Sequence, residues 1–66
     1  MITVNNRDQV EWRDGITVQG VLDAMGYDYA LITVTVNGDC VAADDYAHTK
    51  VPNAAQVIVF HLAHGG

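Results

Sequence analysis

The chain reads as an α+β domain, a mixed sheet of four to five strands with one main helix on one face. Three observations predict it. Two short hairpin patterns flank a single amphipathic helical stripe, so one helix follows one pair of strands and precedes another. The last strand-like run, Val57 to Leu62, is the most apolar in the chain and belongs at the centre of the sheet, beside the first strand. At 66 residues there is room for one small core and no second domain.

Taken in order, Ile2-Thr3-Val4-Asn5 alternates, with Ile2 and Val4 on one face. Asn5 to Asp8 reads as a turn and Val10-Glu11-Trp12 as the returning strand. Arg13-Asp14-Gly15 breaks that pattern. Thr17 is a candidate N-cap, with Val18, Val21, Leu22 and Met25 following at i, i+3, i+4 and i+7. Gly26 stands where a left-handed residue ends the helix. Gly20 inside it costs up to about 1 kcal/mol relative to alanine, so packing must hold this helix. Tyr27 to Ala30 loops back to the sheet.

Leu31 to Val36 is the next strand, with Ile32, Val34 and Val36 on one face and Thr33 and Thr35 on the other. Asn37-Gly38 is a strong two-residue hairpin signal. Such a loop sets Val36 against Asp39, Thr35 against Cys40 and Val34 against Val41, with Val41 facing the core and Cys40 facing away. Asp44 to Val51 is polar and irregular, with a short helical turn near Tyr46-Ala47, and Pro52-Asn53 leads into the last strand. Hairpin, helix, hairpin, connector and strand, in that order, give the β-grasp arrangement. Residues 1–62 form the domain.

Residues 63–66, Ala63-His64-Gly65-Gly66, are expected to leave it as a mobile tail spanning roughly 13 Å when extended. A terminal Gly-Gly alone says little, since chain ends are often loose. Here an apolar strand runs almost directly into it, and glycine backbone can enter a channel too narrow for other residues. The reactive group on offer is the Gly66 carboxylate.

The net charge is −5, from eight acids against Arg7, Arg13 and Lys50. A chain so poor in cations is a bad match for nucleic acid. No apolar run approaches the roughly 18 residues of a membrane span. Met1 starts directly on strand-like sequence without a signal peptide, so a reduced, cytoplasmic setting is expected. Cys40 cannot form an internal disulfide, and no basic neighbour in sequence activates it. His61 and His64, three apart on an extended chain, point to opposite sides and lack further ligands, so no metal site is expected. Asp44 and Asp45 are adjacent rather than facing. No phosphate-binding loop or Ser-His-Asp set is present, so the chain shows no catalytic residues of its own.

The last strand offers a surface instead. If Val57 and Val59 point into the core, Ile58, Phe60 and Leu62 line the open face of the sheet as a docking patch beside the tail. The reverse register exposes Val57, Val59 and His61. Either way the strand is apolar on both faces.

Asp14-Gly15-Ile16-Thr17-Val18 before the helix, Val36-Asn37-Gly38 in the second hairpin and the final Gly65-Gly66 resemble the ThiS family of ubiquitin-like sulfur carriers. The resemblance spans the whole chain. Two positions depart from it: His64 stands where the family tends to have a small residue, and Asn53-Ala54-Ala55 replaces an acidic, glycine-containing turn.

The resemblance implies a carrier that binds no cofactor and is itself the substrate of other enzymes. A ThiF-like adenylyltransferase, using ATP and Mg²⁺, takes in the tail (Ala63, His64, Gly65) and adenylates Gly66. Sulfur supplied through a cysteine desulfurase converts Gly66 to a thiocarboxylate, which a ThiG-like thiazole synthase consumes in thiamine biosynthesis. A carrier for molybdopterin, tRNA thiolation or a natural product fits the same residues. So do a ubiquitin-like protein modifier and, from another class, a plain interaction domain.

Overall fold

The computed structural model describes residues 1–27 and 32–61. Most of the expected loop after Tyr27, the proposed strand start at Leu31, and the segment from Leu62 through Gly66 lie outside the described residues. The strands are β1 (Ile2–Val4), β2 (Asp8–Val10), β3 (Ile32–Val36), β4 (Asp39–Val41) and β5 (Gln56–His61), with one helix, α1 (Val18–Met25). They form one mixed sheet in the order β2-β1-β5-β3-β4. β5 is central, parallel to β1 and antiparallel to β3. That is the β-grasp arrangement. The described helix is too short to cross a membrane.

Local chemistry accounts for the helix. The Thr17 side chain accepts from the Gly20 N–H at 3.2 Å, and Gly26 ends the helix at φ 71°. Val18, Val21 and Leu22 are buried against the sheet, with Met25 packed at the edge of the core. The interior glycine has a packing reason, since a Cβ on Gly20 stands 3.2 Å from the Ile16 side chain. Ile16 therefore lies over the first turn, close to the helix backbone.

The second hairpin has the expected register, Val36 with Asp39, Thr35 with Cys40 and Val34 with Val41. Its turn residues, Asn37 and Gly38, sit at φ 51° and 88°, the left-handed pair that a twisted two-residue hairpin requires. Val41 packs against the core and Cys40 is exposed.

The first hairpin differs from expectation. Its second strand is Asp8–Val10, not Val10 to Trp12. Asn5 and Asn6 both take left-handed backbone, φ 55° and 57°, and Arg7 N–H donates to Val4 O at 3.1 Å. So tight a turn brings the chain back into pairing by Asp8. Trp12 then leaves the sheet, and its indole N–H donates to Val51 O at 2.7 Å.

The connector also does more than its polar sequence suggests. Its helical turn is a 3₁₀ turn at Ala43–Asp45, three residues earlier than Tyr46-Ala47, because Tyr46 is drawn into the core at 5% exposure. Tyr46 O and Thr49 O accept from Gln19 N–H and Val18 N–H, two of the donors that a helix N-terminus leaves unpaired. The connector thus caps α1 and supplies Tyr46, Val51 and Ala55 to the core.

Burial pushes the Tyr46 phenol above its ordinary 10.0, and its electrostatic interaction with Cys40 pushes it the same way. The fold therefore prefers the protonated phenol. Its contribution is fully present below the unfolded pKa and is lost as pH rises past 10.0 toward the folded value. Urea titrations across that window should show stability falling with pH, and falling less steeply in Tyr46→Phe; equal slopes contradict this.

Ala54 sits at φ 65° in the turn before β5, where Ala55 N–H donates to Pro52 O. A left-handed alanine costs about 1 kcal/mol. Ala54→Gly is expected to raise the melting temperature, and an unchanged or lower value denies that strain.

Candidate functional site: the last strand and the open sheet face

β5 is central because its inward residues, Val57 and Val59, are buried between β1 and β3 and under α1. Alternation then sends Ile58 and Phe60 to the face away from the helix. Ile58 is half-buried opposite Thr35, while Phe60, opposite Thr33, remains 54% exposed. Among the described residues only Met1 is another large apolar side chain so exposed. Leu62, the third member of the expected patch, lies outside the described residues, as do Ala63, His64, Gly65 and Gly66.

Sequence reading missed what holds this strand in register. β1 pairs with β5 only through Thr3 with Gln56 and Val4 with Val57. Next in line, the Asn5 N–H still donates to Val57 O, and its side-chain oxygen accepts from Val59 N–H in place of a backbone carbonyl, both at 2.8 Å. On the other side, Asn37 donates its N–H to Gln56 O and accepts from Gln56 N–H through Oδ1, both at 2.8 Å. One asparagine from each hairpin turn therefore clips the central strand. Their left-handed backbone frees these side chains to reach across, and the only signal in the sequence was asparagine at both turns.

The other candidates stay apart. His61 is exposed at the end of β5, on the same side as Val57 and Val59, and its ring meets Tyr27 edge-on at 5.0 Å. No cluster of three or more metal-binding side chains occurs among the described residues. Asp44 and Asp45 are exposed on the 3₁₀ turn. Cys40 lies opposite Thr35 on the open face, away from His61. The described part of the site is thus a central strand clipped by two asparagines, with an open face bearing Ile58 and Phe60 and an exposed His61 at its end.

This architecture has solved counterparts. A crystal structure of the thiamine biosynthesis protein (ThiS) from Geobacter metallireducens is similar at a TM-score of 0.77 and 25% identity, covering 98% of this chain and 97% of that one. A solution NMR structure of a thiamine biosynthesis protein from the same organism gives 0.76 and 24%, covering 98% and 86%, and shows the shared fold. A search of the curated proteins found no match. The family model described as the ThiS family matches residues 2–66, nearly the whole length, and the chain belongs to that family.

Proposed function

We propose that this chain is the sulfur carrier of thiamine biosynthesis, a protein co-substrate with no catalytic residues of its own. The observation that carries the reading is the ThiS family match, which runs from β1 through Gly66. The fold supports it physically. A carrier must hold one end of its chain at a defined place on a surface that another enzyme can grip. β5, clipped on both sides and buried on one face, provides such a base for the segment that follows it.

The carboxylate of Gly66 is the working group. A carboxylate is a poor acyl donor, because expelling an oxide ion from it is prohibitively difficult. Attack of its oxygen on the α-phosphorus of ATP, in the active site of a ThiF-like adenylyltransferase that uses Mg²⁺, releases pyrophosphate. The product is a mixed anhydride with AMP as its leaving group. The terminal sulfur of a persulfide, supplied through a cysteine desulfurase, attacks the acyl carbon and displaces AMP. A thiol on the enzyme then attacks the cysteine's own sulfur in the resulting acyl disulfide, forming a cysteine disulfide and releasing the acyl-bound sulfur as the thiocarboxylate. A ThiG-like thiazole synthase accepts that sulfur.

The chain's own contribution is delivery and positioning. Ile58, Phe60 and Leu62 form the docking patch, and Ala63, His64 and Gly65 form the segment that enters the enzyme. Glycine at the end allows a narrow channel around the reacting carbonyl.

Adding two alanines after Gly66 tests the reading. Pyrophosphate release by the adenylyltransferase should cease, because Gly66 no longer carries the carboxylate and the added alanines do not fit a channel shaped for glycine, while the fold melts as before. Undiminished release excludes the carrier role and leaves a plain interaction domain.

A further inference from the structure

Among the described residues, the outward strand positions on the open face of the sheet carry no charge. On β5, β3 and β4 its outward positions are Gln56, Ile58, Phe60, Thr33, Thr35 and Cys40, and β1 and β2 add only a threonine and a glutamine. The chain has eight acids, yet the two on described strands, Asp8 and Asp39, stand opposite the inward-facing Val4 and Val36 and so alternate to the other side. Where both hairpin turns meet this face, Asn6, Thr35, Asn37, Gly38, Gln56 and Ile58 line a groove of about 470 Å³. Its polar wall is preorganised. Gln56 N–H donates to Asn37 Oδ1 at 2.8 Å, and the Gln56 side-chain amide donates to Asn6 Oδ1. A backbone N–H can only donate, so the Asn37 oxygen faces it and the Asn37 NH₂ group is left as a donor at the exposed rim.

We propose that the docking face extends from Phe60 over Ile58 into this groove, and that its occupant is an extended, uncharged segment of the activating enzyme. That segment lays main-chain carbonyls against the carboxamides of Asn37 and Asn6 and an aliphatic side chain over Ile58. The inference rests on the carrier reading above.

Charge and hydrogen bonding select this occupant. Covering a charged face costs several kcal/mol per unpaired ion, and this face imposes no such cost. Covered carboxamides must still find partners, so a wholly apolar occupant leaves donors unsatisfied. Peptide carbonyls satisfy them without a countercharge. The two acids on the described strands point to the other side, so basic groups on the enzyme act at the rim, speeding encounter in a salt-dependent way without deciding the fit at the centre.

Asn37→Asp tests it. The variant keeps an oxygen for Gln56 N–H and tolerates the left-handed turn, but replaces the NH₂ donor with a carboxylate. Against a purified ThiF-type adenylyltransferase, calorimetry should show Kd rising roughly tenfold or more, while Asp23→Asn, on the exposed side of α1, leaves Kd unchanged. If Asn37→Asp melts early, Asn6→Asp makes the same test from the other wall. An unchanged Kd in a properly folded variant overturns the groove, and so does competition by inorganic phosphate, which makes it an anion site. Both leave the carrier reading standing provided the wild-type chain acquires sulfur. A wild-type chain that acquires none brings down the carrier reading and the groove together.

Discussion

Deleting Gly66 is expected to abolish activation completely while leaving the domain folded. The described core is built from β1 to β5 and α1, and none of it requires residue 66. The shortened chain ends on the Gly65 carboxylate, which still has the right chemistry but stops one residue, about 3.5 Å, short of the nucleotide. In-line attack on phosphorus needs the reacting atoms within about 3–3.5 Å, so a shortfall of that size removes the reaction rather than slowing it. AMP and pyrophosphate formation should fall to background in the deletion, with melting temperature and circular dichroism unchanged. Undiminished AMP formation refutes the assignment of Gly66.

The second large effect is on stability. Leu22 is fully buried and is, with Ile2, among the largest side chains wholly inside the core. It sits on α1 between Val18, which starts the inward stripe, and Met25, which ends it. Leu→Ala at such a site costs about 2–5 kcal/mol, from lost transfer energy and the cavity left behind. Small domains hold only about 3–5 kcal/mol in a single core. Leu22→Ala should therefore lower the urea midpoint severely and leave much of the protein unfolded at ambient temperature. A midpoint within experimental error of wild type means that the helix does not hold the sheet as described.

What was legible in the sequence is what is local. Asn37-Gly38 determines a two-residue loop, and the pairing of Val36 with Asp39 follows from that loop alone. Thr17, the stripe from Val18 to Met25 and Gly26 specify a helix from its own ends. Alternation along β5 gives Val57 and Val59 inside and Ile58 and Phe60 outside once a single choice of face is made.

The misplaced features depend on distant residues. Val10 to Trp12 alternates like a strand, but Trp12 is held by Val51, far along the chain, so the strand ends at Val10. Tyr46 looks like one aromatic in a polar run, and only the helix N-terminus beside it explains its burial. Asn5 and Asn37 read as turn formers, while their grip on Val59 and Gln56 exists only after the sheet has formed. The family resemblance was accessible because it is carried by contiguous motifs. The clips were not, since each joins two elements.

Mass spectrometry of the intact protein after incubation with a ThiF-type adenylyltransferase, ATP, Mg²⁺, a cysteine desulfurase and cysteine tests the central claim directly. The account predicts the gain of mass that accompanies replacement of one oxygen by sulfur, confined to a C-terminal peptide ending at Gly66 and absent without ATP. A chain that stays at its original mass while a known carrier in the same mixture gains sulfur contradicts it.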